Sequence, residues 1–350
     1  MTRITAVQPV LPPYRYPQDE LTAVVSDLIG AHGARRAVVE RVHGNCGVQA
    51  RHVALPLERY AELTDFGQAN DAFVAAAADL GAEAVEGALA AAGLTPADVD
   101  VVVSTTVTGL AVPSLDALVA TRLGMREDVR RVPVLGLGCA GGAGGLGVLG
   151  ELLAGRPDGV GVLVSVELCS LTIQREDTST ANVVASGLFG DGASAVVAVG
   201  DAHPAPGVRI VDSASRLYPG TAGVIGWDVG ASGLRIVLGP EVPGLVRAHL
   251  GADVDAFLAR HDLTRADIGW WVCHPGGPKV IEAMTQALGV DDTALALTWA
   301  HLARVGNLSS SSVLHVLADT LADAPPPPGS PGLVIAMGPG FGLEMVLLSA

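Results

Sequence analysis

Aromatic side chains are scarce in this chain, 4% of 350 residues, so a packed interior has to be assembled from Ala, Val, Leu and Gly rather than from stacked rings. Cysteine is also rare. The four thiols, Cys46, Cys139, Cys169 and Cys273, form no CxxC pair, which points to free thiols and away from a zinc knuckle or a disulfide framework. No metal site is expected. Apolar runs are broken by Gly, Pro or charge before the roughly 18 residues that a membrane span needs, and the opening MTRITAVQPVLPPYRYP lacks the cationic, apolar and small-residue succession of a secretory signal. A cytoplasmic protein is expected. Positive charge is in deficit, with 21 Lys and Arg against 36 Asp and Glu for a net charge of −15. Nucleic acid and anionic membrane are thereby excluded as main partners, since either would be repelled over most of the surface. An anionic small molecule would need a local basic patch.

What the chain has in abundance is small and aliphatic residues, 49% hydrophobic with 44 glycines, enough for a substantial core. Residues 70–93 keep apolar positions at three-to-four spacing after Asn70 and stop at Gly93, which predicts a long amphipathic helix capped by Asn70. VVVSTTV, following at 101–107, reads as a buried strand, as do the stretches 159–168, 192–200, 268–274, 332–338 and 342–349. Buried strands alternating with helices mark an α/β layered fold. DAPPPPGSPG at 323–332 reads as an exposed loop.

The two parts of the chain also resemble each other. LTPAD leads into the strand at 98–105 and LTRAD into the strand at 266–274; Cys139 and Asn307 follow those strands at similar distances and stand 168 positions apart, each opening a helix rich in small residues. An internal duplication is predicted, with an N-terminal half over 1–200 and a C-terminal half over 201–350 whose equivalent helix starts face one site.

Three residues in that frame can carry chemistry. Cys139, in GLGCAGGAGG, stands at a helix start, where unpaired N–H groups and the helix dipole favour the thiolate; packing is its other reading. His274 ends a buried strand ahead of PGGPKVIEAM, at the sheet rim where α/β sites form; a hydrogen-bonded structural imidazole is the alternative. Asn307 opens the helix of GNLSSSSVLHVL, where capping is the plain role. Together they describe a condensing site. A Cys139 thiolate, held by an imidazolium at His274, takes an acyl group from a thioester, and His274 and the Asn307 amide donate to the carbonyl oxygen of a second thioester. If that second substrate carries a carboxyl group, loss of CO2 leaves an enolate that attacks the acyl-cysteine.

At these residues the sequence resembles the type III polyketide synthases, the chalcone-synthase-like branch of the thiolase superfamily. GLGCAGGAGGL is similar to that family's nucleophile segment, CHPGGPKVIEAM to its histidine segment and GNLSSSSVLHVL, with Ser309, to its asparagine segment, while LFGDGASAVV and AMGPGFGLEMV resemble further signatures. The resemblance implies a thiolase-like α/β fold, two duplicated αβαβα halves forming a five-layered core, and a homodimer. It also implies no bound cofactor: an acyl-CoA starter and a malonyl-type CoA extender would be substrates. Initiating ketoacyl synthases usually lack PGGP, and the second cysteine that thiolases use has only Cys273 as a candidate, which strand alternation turns to the face opposite His274. A non-catalytic subunit of the same fold is the reading from a different class.

Substrate-lining residues follow from the same resemblance. Cys169 falls where plant enzymes carry Thr, Thr172 keeps a polar position, Val208 and Ile236 stand in place of gatekeeping phenylalanines, Trp227 shapes the elongation cavity, and Ser309 is a further substrate-binding position. Aliphatic lining with a bulky Trp suits an alkyl starter and few extensions, hence an alkyl pyrone, with an alkylresorcinol as the alternative. For the phosphates of coenzyme A the basic stretch 34–52 is the best patch, with Arg35, Arg36 and Arg41 and with Arg51 named as the contact; Arg126, Arg130 and Arg131 form another.

Overall fold

LTPAD and LTRAD fold alike. In each, the Thr backbone N–H and hydroxyl donate to the Asp three residues on, at 2.8 and 2.7 Å for Thr95–Asp98 and again for Thr264–Asp267, closing a capping box that feeds the chain into a buried strand. The computed structural model, which describes residues 2–175 and 177–350, extends this equivalence over the whole architecture.

The first half runs β1 (Arg3–Val10), β2 (Tyr14–Pro17), α1 (Gln18–Leu28), α2 (Ala34–Gly44), β3 (Ala50–Val53), α3 (Leu57–Tyr60), α4 (Phe66–Ala92), β4 (Val101–Thr105), α5 (Leu115–Leu123), β5 (Arg130–Val134), α6 (Gly141–Ala154), β6 (Val160–Leu168), α7 (Thr180–Leu188) and β7 (Asp191–Val199). The second runs β8 (Val208–Leu217), β9 (Ile225–Gly230), β10 (Gly233–Leu238), α8 (Val242–Ala259), β11 (Trp270–Cys273), α9 (Pro278–Leu288), α10 (Ala296–Val305), α11 (Ser310–Asp323), β12 (Pro331–Gly338) and β13 (Gly342–Ser349). Nine strands form one sheet in the order β11-β12-β13-β8-β1-β7-β6-β4-β5. On one side β4 and β6 are parallel while β7 and β1 follow antiparallel; on the other β11 and β12 are parallel while β13 and β8 follow antiparallel. The two sides therefore repeat one pattern outward from the β1–β8 seam.

That seam holds by only two residue pairs, Arg3 with Arg209 and Ile4 with Val208. Away from it the two sides part to admit α6 and α11, which pack on each other and on strands of both sides. Strand alternation sorts the side chains: Val101, Val103, Trp270 and Val272 point to this central layer, whereas Val102, Trp271 and Cys273 point outward, Val102 to the layer of α4 and α5, Trp271 and Cys273 to that of α8 and α9. The layers are thus helix, sheet, central helix pair, sheet and helix, the five-layered thiolase-like arrangement expected.

Boundaries differ from expectation in one informative place. α4 begins at Phe66, capped by Asp65 whose carboxylate accepts from Gln68 N at 2.9 Å, and ends at Gly93. Asn70, the expected cap, lies inside the helix and exchanges two 2.8 Å hydrogen bonds with the backbone of Leu110, tying that loop down. Asp65 precedes a phenylalanine and glycine that hid the first turn from a periodicity argument. The proline-rich stretch has no regular structure between α11 and β12. No helix among the described residues is long and apolar enough to cross a membrane.

Candidate active site

Beyond β5 the chain turns at Gly138, at φ +51°, where a Cβ would collide with the ring of Pro339. Gly138–Ala140 make a single 3-10 turn before α6, so Cys139 stands one turn ahead of the helix proper. The counterpart in the second half is Gly306, at φ +79°, followed by Asn307. Between them α6 and α11 touch without intervening side chains: a Cβ at Gly142 would strike the carbonyl oxygen of Ser310. The glycines after Cys139 serve this helix contact.

Cys139 is half-buried, with Sγ 3.7 Å from Ser309 Oγ. Burial pushes its thiol up to about 12, opposed by hydrogen bonds from Ser309 and the Asn307 side chain and reinforced by the Glu167 carboxylate. Asn307 is buried and fixed on both sides. Its backbone bridges β7's approach through Asn307 N to Leu188 O and Gly190 N to Asn307 O, each 2.9 Å, and its Oδ1 accepts from Ser309 N at 2.8 Å. Asn307 is accordingly no helix cap; using Oδ1 within the turn leaves the amide NH2 as the group that faces Cys139. Ser309, the residue preceding α11, adopts φ +48°, an unusual conformation for a non-glycine residue.

His274 follows Cys273 at the end of β11, and alternation with the inward Trp270 and Val272 turns it to the central layer. Its N–H donates to Ile335 O at 2.9 Å on β12. That strand ends at Gly338, where a Cβ would meet the backbone of Leu137 and Ala140, so His274 and Cys139 flank the end of β12. Both ring nitrogens are buried without a partner among the described residues. Burial drives His274 down to about 3, and the imidazole is neutral near pH 7. Desolvation of both groups works against the expected thiolate–imidazolium pair, and no carboxylate meets the ring among the described residues.

A chamber of about 30 Å3 opens beside Ser309, walled by Cys169, Thr172, Phe189 and Arg51 and, from the β9–β10 hairpin, by Trp227 and Ile236, which are direct cross-strand partners. Through the shared residues Thr108, Ser170, Thr172 and Ile173 it adjoins a cavity of about 200 Å3. Of the expected lining residues, Cys169, Thr172, Trp227, Ile236 and Ser309 are brought together. Cys169 is buried, and burial holds its thiol well above the usual range; Thr172 donates to Cys169 O at 2.8 Å.

Two expectations fail. Val208 is the first residue of β8, paired with Ile4 at the seam and packed with the central layer, and it does not line the chamber. Arg51 is 2% exposed, on β3 opposite Tyr16, and cannot meet a phosphate in solvent; its place in the chamber wall is described below. Alternation in a short strand turned it inward, unlike its exposed neighbours on α2. Arg126 is paired with Asp100 and Asp128, and Arg131 with Asp116, while Arg36 pairs with Asp27 and Glu40. Arg35 and Arg41 remain exposed without an acidic partner among the described residues.

The sequence gives no pointer to several lining residues, Ile173, Asn182, Ser186 and Phe189 among them, or to the supporting Glu167 as part of the site. Phe189 reaches the chamber next to the Asn307 bridge. Glu167 is buried and accepts from Thr108 Oγ1 at 2.9 Å, Val107 N at 3.1 Å and Ser310 Oγ, joining the turn after β4 to the start of α11. A carboxylate inside the apolar run GVGVLVSVEL marks it as unusual without placing it at the site. No cluster of His, Cys, Asp or Glu that could hold a metal is found among the described residues.

Comparison with known proteins agrees over the full length. The family profile for chalcone and stilbene synthases matches as an N-terminal domain over residues 6–203 and a C-terminal domain over 209–350. A 1,3,6,8-tetrahydroxynaphthalene synthase of Streptomyces peucetius subsp. caesius is 54% identical over 350 residues, covering 99% of this chain and 93% of that protein. A 3,5-dihydroxyphenylacetyl-CoA synthase of Amycolatopsis balhimycina is 31% identical, covering 99% and 93%. The crystal structure of 1,3,6,8-tetrahydroxynaphthalene synthase from Streptomyces coelicolor A3(2), described as a bacterial type III polyketide synthase, superposes with a TM-score of 0.93 at 27% identity, covering 99% of both chains.

Proposed function

This chain belongs to the chalcone and stilbene synthase family and is a type III polyketide synthase, and on that premise we propose that it builds a polyhydroxylated aromatic product from malonyl-type coenzyme A thioesters at Cys139, His274 and Asn307. The observation that carries the reading is the chamber wall. Arg51, Thr172, Asn182, Ser186 and Ser309 set hydrogen-bonding groups into an otherwise apolar wall, where a carbonyl of a polyketide chain finds a partner that an alkyl tail would leave unmet. The relatives named for tetrahydroxynaphthalene and dihydroxyphenylacetyl products support the same side.

The steps follow from the neutral site. Cys139 Sγ attacks the acyl thioester, with the neutral His274 taking its proton and passing it to the departing coenzyme A thiolate. The extender's thioester carbonyl then accepts from the His274 ring N–H and the Asn307 amide. Its carboxylate leaves as CO2, the electron pair remains as an enolate, and the enolate carbon attacks the acyl-cysteine carbonyl and expels the Cys139 thiolate, which regains a proton. Arg35 and Arg41 are assigned to the coenzyme's phosphates in place of Arg51. The homodimer enters here as part of the reading, supported by the exposed apolar residues Leu110 and Val112 on the loop after β4.

An alkyl pyrone is the second reading, favoured by Ile236 and Ile173 in the chamber and by Leu28, Leu63 and Phe66 in the adjoining cavity, where a tail could lie. Incubation with labelled malonyl-CoA alone separates the two: a polyhydroxynaphthalene-type product is expected, with label on the Cys139 peptide. Turnover only after addition of a long acyl-CoA, with a pyrone or resorcinol product, would overturn the first reading in favour of the alkyl one.

A further inference from the structure

Arg51 is held by two of its three nitrogens. Nε donates to Gln18 Oε1 at 2.9 Å, itself fixed by a 2.6 Å bond from Gln18 Nε2 to Gly187 O, and Nη1 donates to Phe189 O at 2.7 Å. The third, Nη2, is buried and has no partner among the described residues. Asp191, the carboxylate whose charge acts on Arg51, is occupied otherwise: it accepts from Ala54 N at 2.6 Å and from the N–H and hydroxyl of Ser170, and it forms no ion pair with Arg51. Burial lowers Arg51 only to about 10, so the guanidinium stays charged near neutral pH. A buried cation with one N–H pair unmet is a costly arrangement unless something meets it, and an anion meets it best.

The chamber that Arg51 walls also includes Ser309, whose hydroxyl is the neighbour of Cys139 Sγ. Its volume of about 30 Å3 admits one small polar group, a chain carbonyl or a carboxylate, with the remainder of a chain left to the adjoining cavity. We propose that this is an anion subsite: Arg51 Nη2 pairs with the free carboxylate of a malonyl group while that group is held as a thioester on Cys139. The proposal rests on the acyl-cysteine reading given above and adds to it the class of primer. Loading is a plain acyl transfer in which the Cys139 sulfur–carbon bond forms as the coenzyme A sulfur–carbon bond breaks, with the carboxylate untouched. A guanidinium on that carboxylate stabilises the anion and so opposes loss of CO2, whereas the extender, bound without this contact, is free to decarboxylate. One chemical species could thereby serve both as primer and as extender, sorted by which carboxylate meets Arg51.

Rapid acid quench after exposure to malonyl-CoA, followed by mass analysis of the Cys139 peptide, tests the idea. Wild-type protein should carry the carboxylated acyl group, and Arg51→Gln should lower the ratio of carboxylated to decarboxylated adduct by at least about tenfold, as expected for loss of one charge-assisted hydrogen bond; Arg51→Lys should fall less. An equal ratio in Arg51→Gln would overturn the proposal and leave Nη2 to an ordered water. If Arg51→Gln does not fold, competition on the wild-type protein decides: malonyl-CoA should load in preference to the coenzyme A thioester of monomethyl malonate, and equal loading is the contrary result. Absence of any acyl group on Cys139 is a separate outcome, since it defeats the acyl-cysteine reading itself.

Discussion

The starts of α6 and α11 are equivalent positions in a duplicated fold, yet they have been given opposite compositions. Each follows a glycine at positive φ, Gly138 and Gly306. After that, the first half supplies a thiol and then Gly141, Gly142, Gly144 and Gly145, while the second supplies an amide and then Ser309, Ser310, Ser311 and Ser312. Glycine gives the space that the α11 backbone enters, and the serine side chains turn to β6: Ser310 and Ser311 reach Ser165 Oγ at 2.8 Å each, and Ser310 also reaches Glu167. The lesson is that two helices can bring their backbones together only if one of them gives up its own side chains, and that this close approach is what sets Cys139 against Ser309 and Asn307.

Changing either side of that pair should have distinct effects. The largest is Cys139→Ala, for which no covalent acyl label and no product above background are expected by mass spectrometry and product chromatography; a labelled variant would dispose of the nucleophile assignment. Asn307→Ala should spare acylation of Cys139 but slow CO2 release by roughly 100- to 1,000-fold, the usual cost of one oxyanion donor; parallel loss of both steps would mean that the two helix starts do not divide the work as proposed. Acid should weigh mostly on the second half, where His274 is held down to about 3, His315 to about 4 and His301 well below the usual range, all by burial, with His43 at about 4 in the first half. Because the folded values lie below the unfolded value near 6.5, the stability tied to neutral imidazoles is present above pH 6.5 and is lost as pH falls toward 4. At about 1.4 kcal/mol per unit this is on the order of 3 kcal/mol for each residue near 4. The melting temperature should fall over that window, and less so in His315→Gln; a flat profile would contradict the buried, neutral assignment. Smaller still, Gly142→Ala should cost about 1–3 kcal/mol by overpacking against Ser310, and Ser311→Ala about 1 kcal/mol for its lost hydrogen bonds, both read by denaturant midpoint. The reverse order would show that the serines, and not the space, govern the contact.

The parts of this architecture legible in the sequence are those encoded by local physics. The β4, β6, β7, β11, β12 and β13 runs are mostly apolar because both faces are covered, and the paired LTPAD and LTRAD capping boxes announce the duplication. The short strands β2 and β3 and the β9–β10 hairpin carry no such signature, and the two misplaced residues lie on β3 and at the start of β8. Arg51 was grouped with Arg35, Arg36 and Arg41 because they are close in sequence, but helix and strand present neighbours differently, and a β3 residue opposite Tyr16 faces the interior. Val208 was placed by an approximate correspondence over a stretch where loop length shifts the register, and the seam pairing with Ile4 fixed it elsewhere.

By itself the sequence supplied the groups proposed for the chemistry, Cys139, His274 and Asn307, and the expectation that two equivalent halves bring helix starts together, because thiol, ring and amide are covalent facts and capping boxes are local. It did not determine their charge states or the character of the chamber. Those depend on what surrounds each group: burial pushes His274 down and Cys139 up, and the packing around β3 turns Arg51 inward to Gln18 and Phe189 with one nitrogen unmet among the described residues. Desolvation is a property of the assembled neighbourhood, contributed by residues far apart in the chain, and the tertiary structure alone decides it.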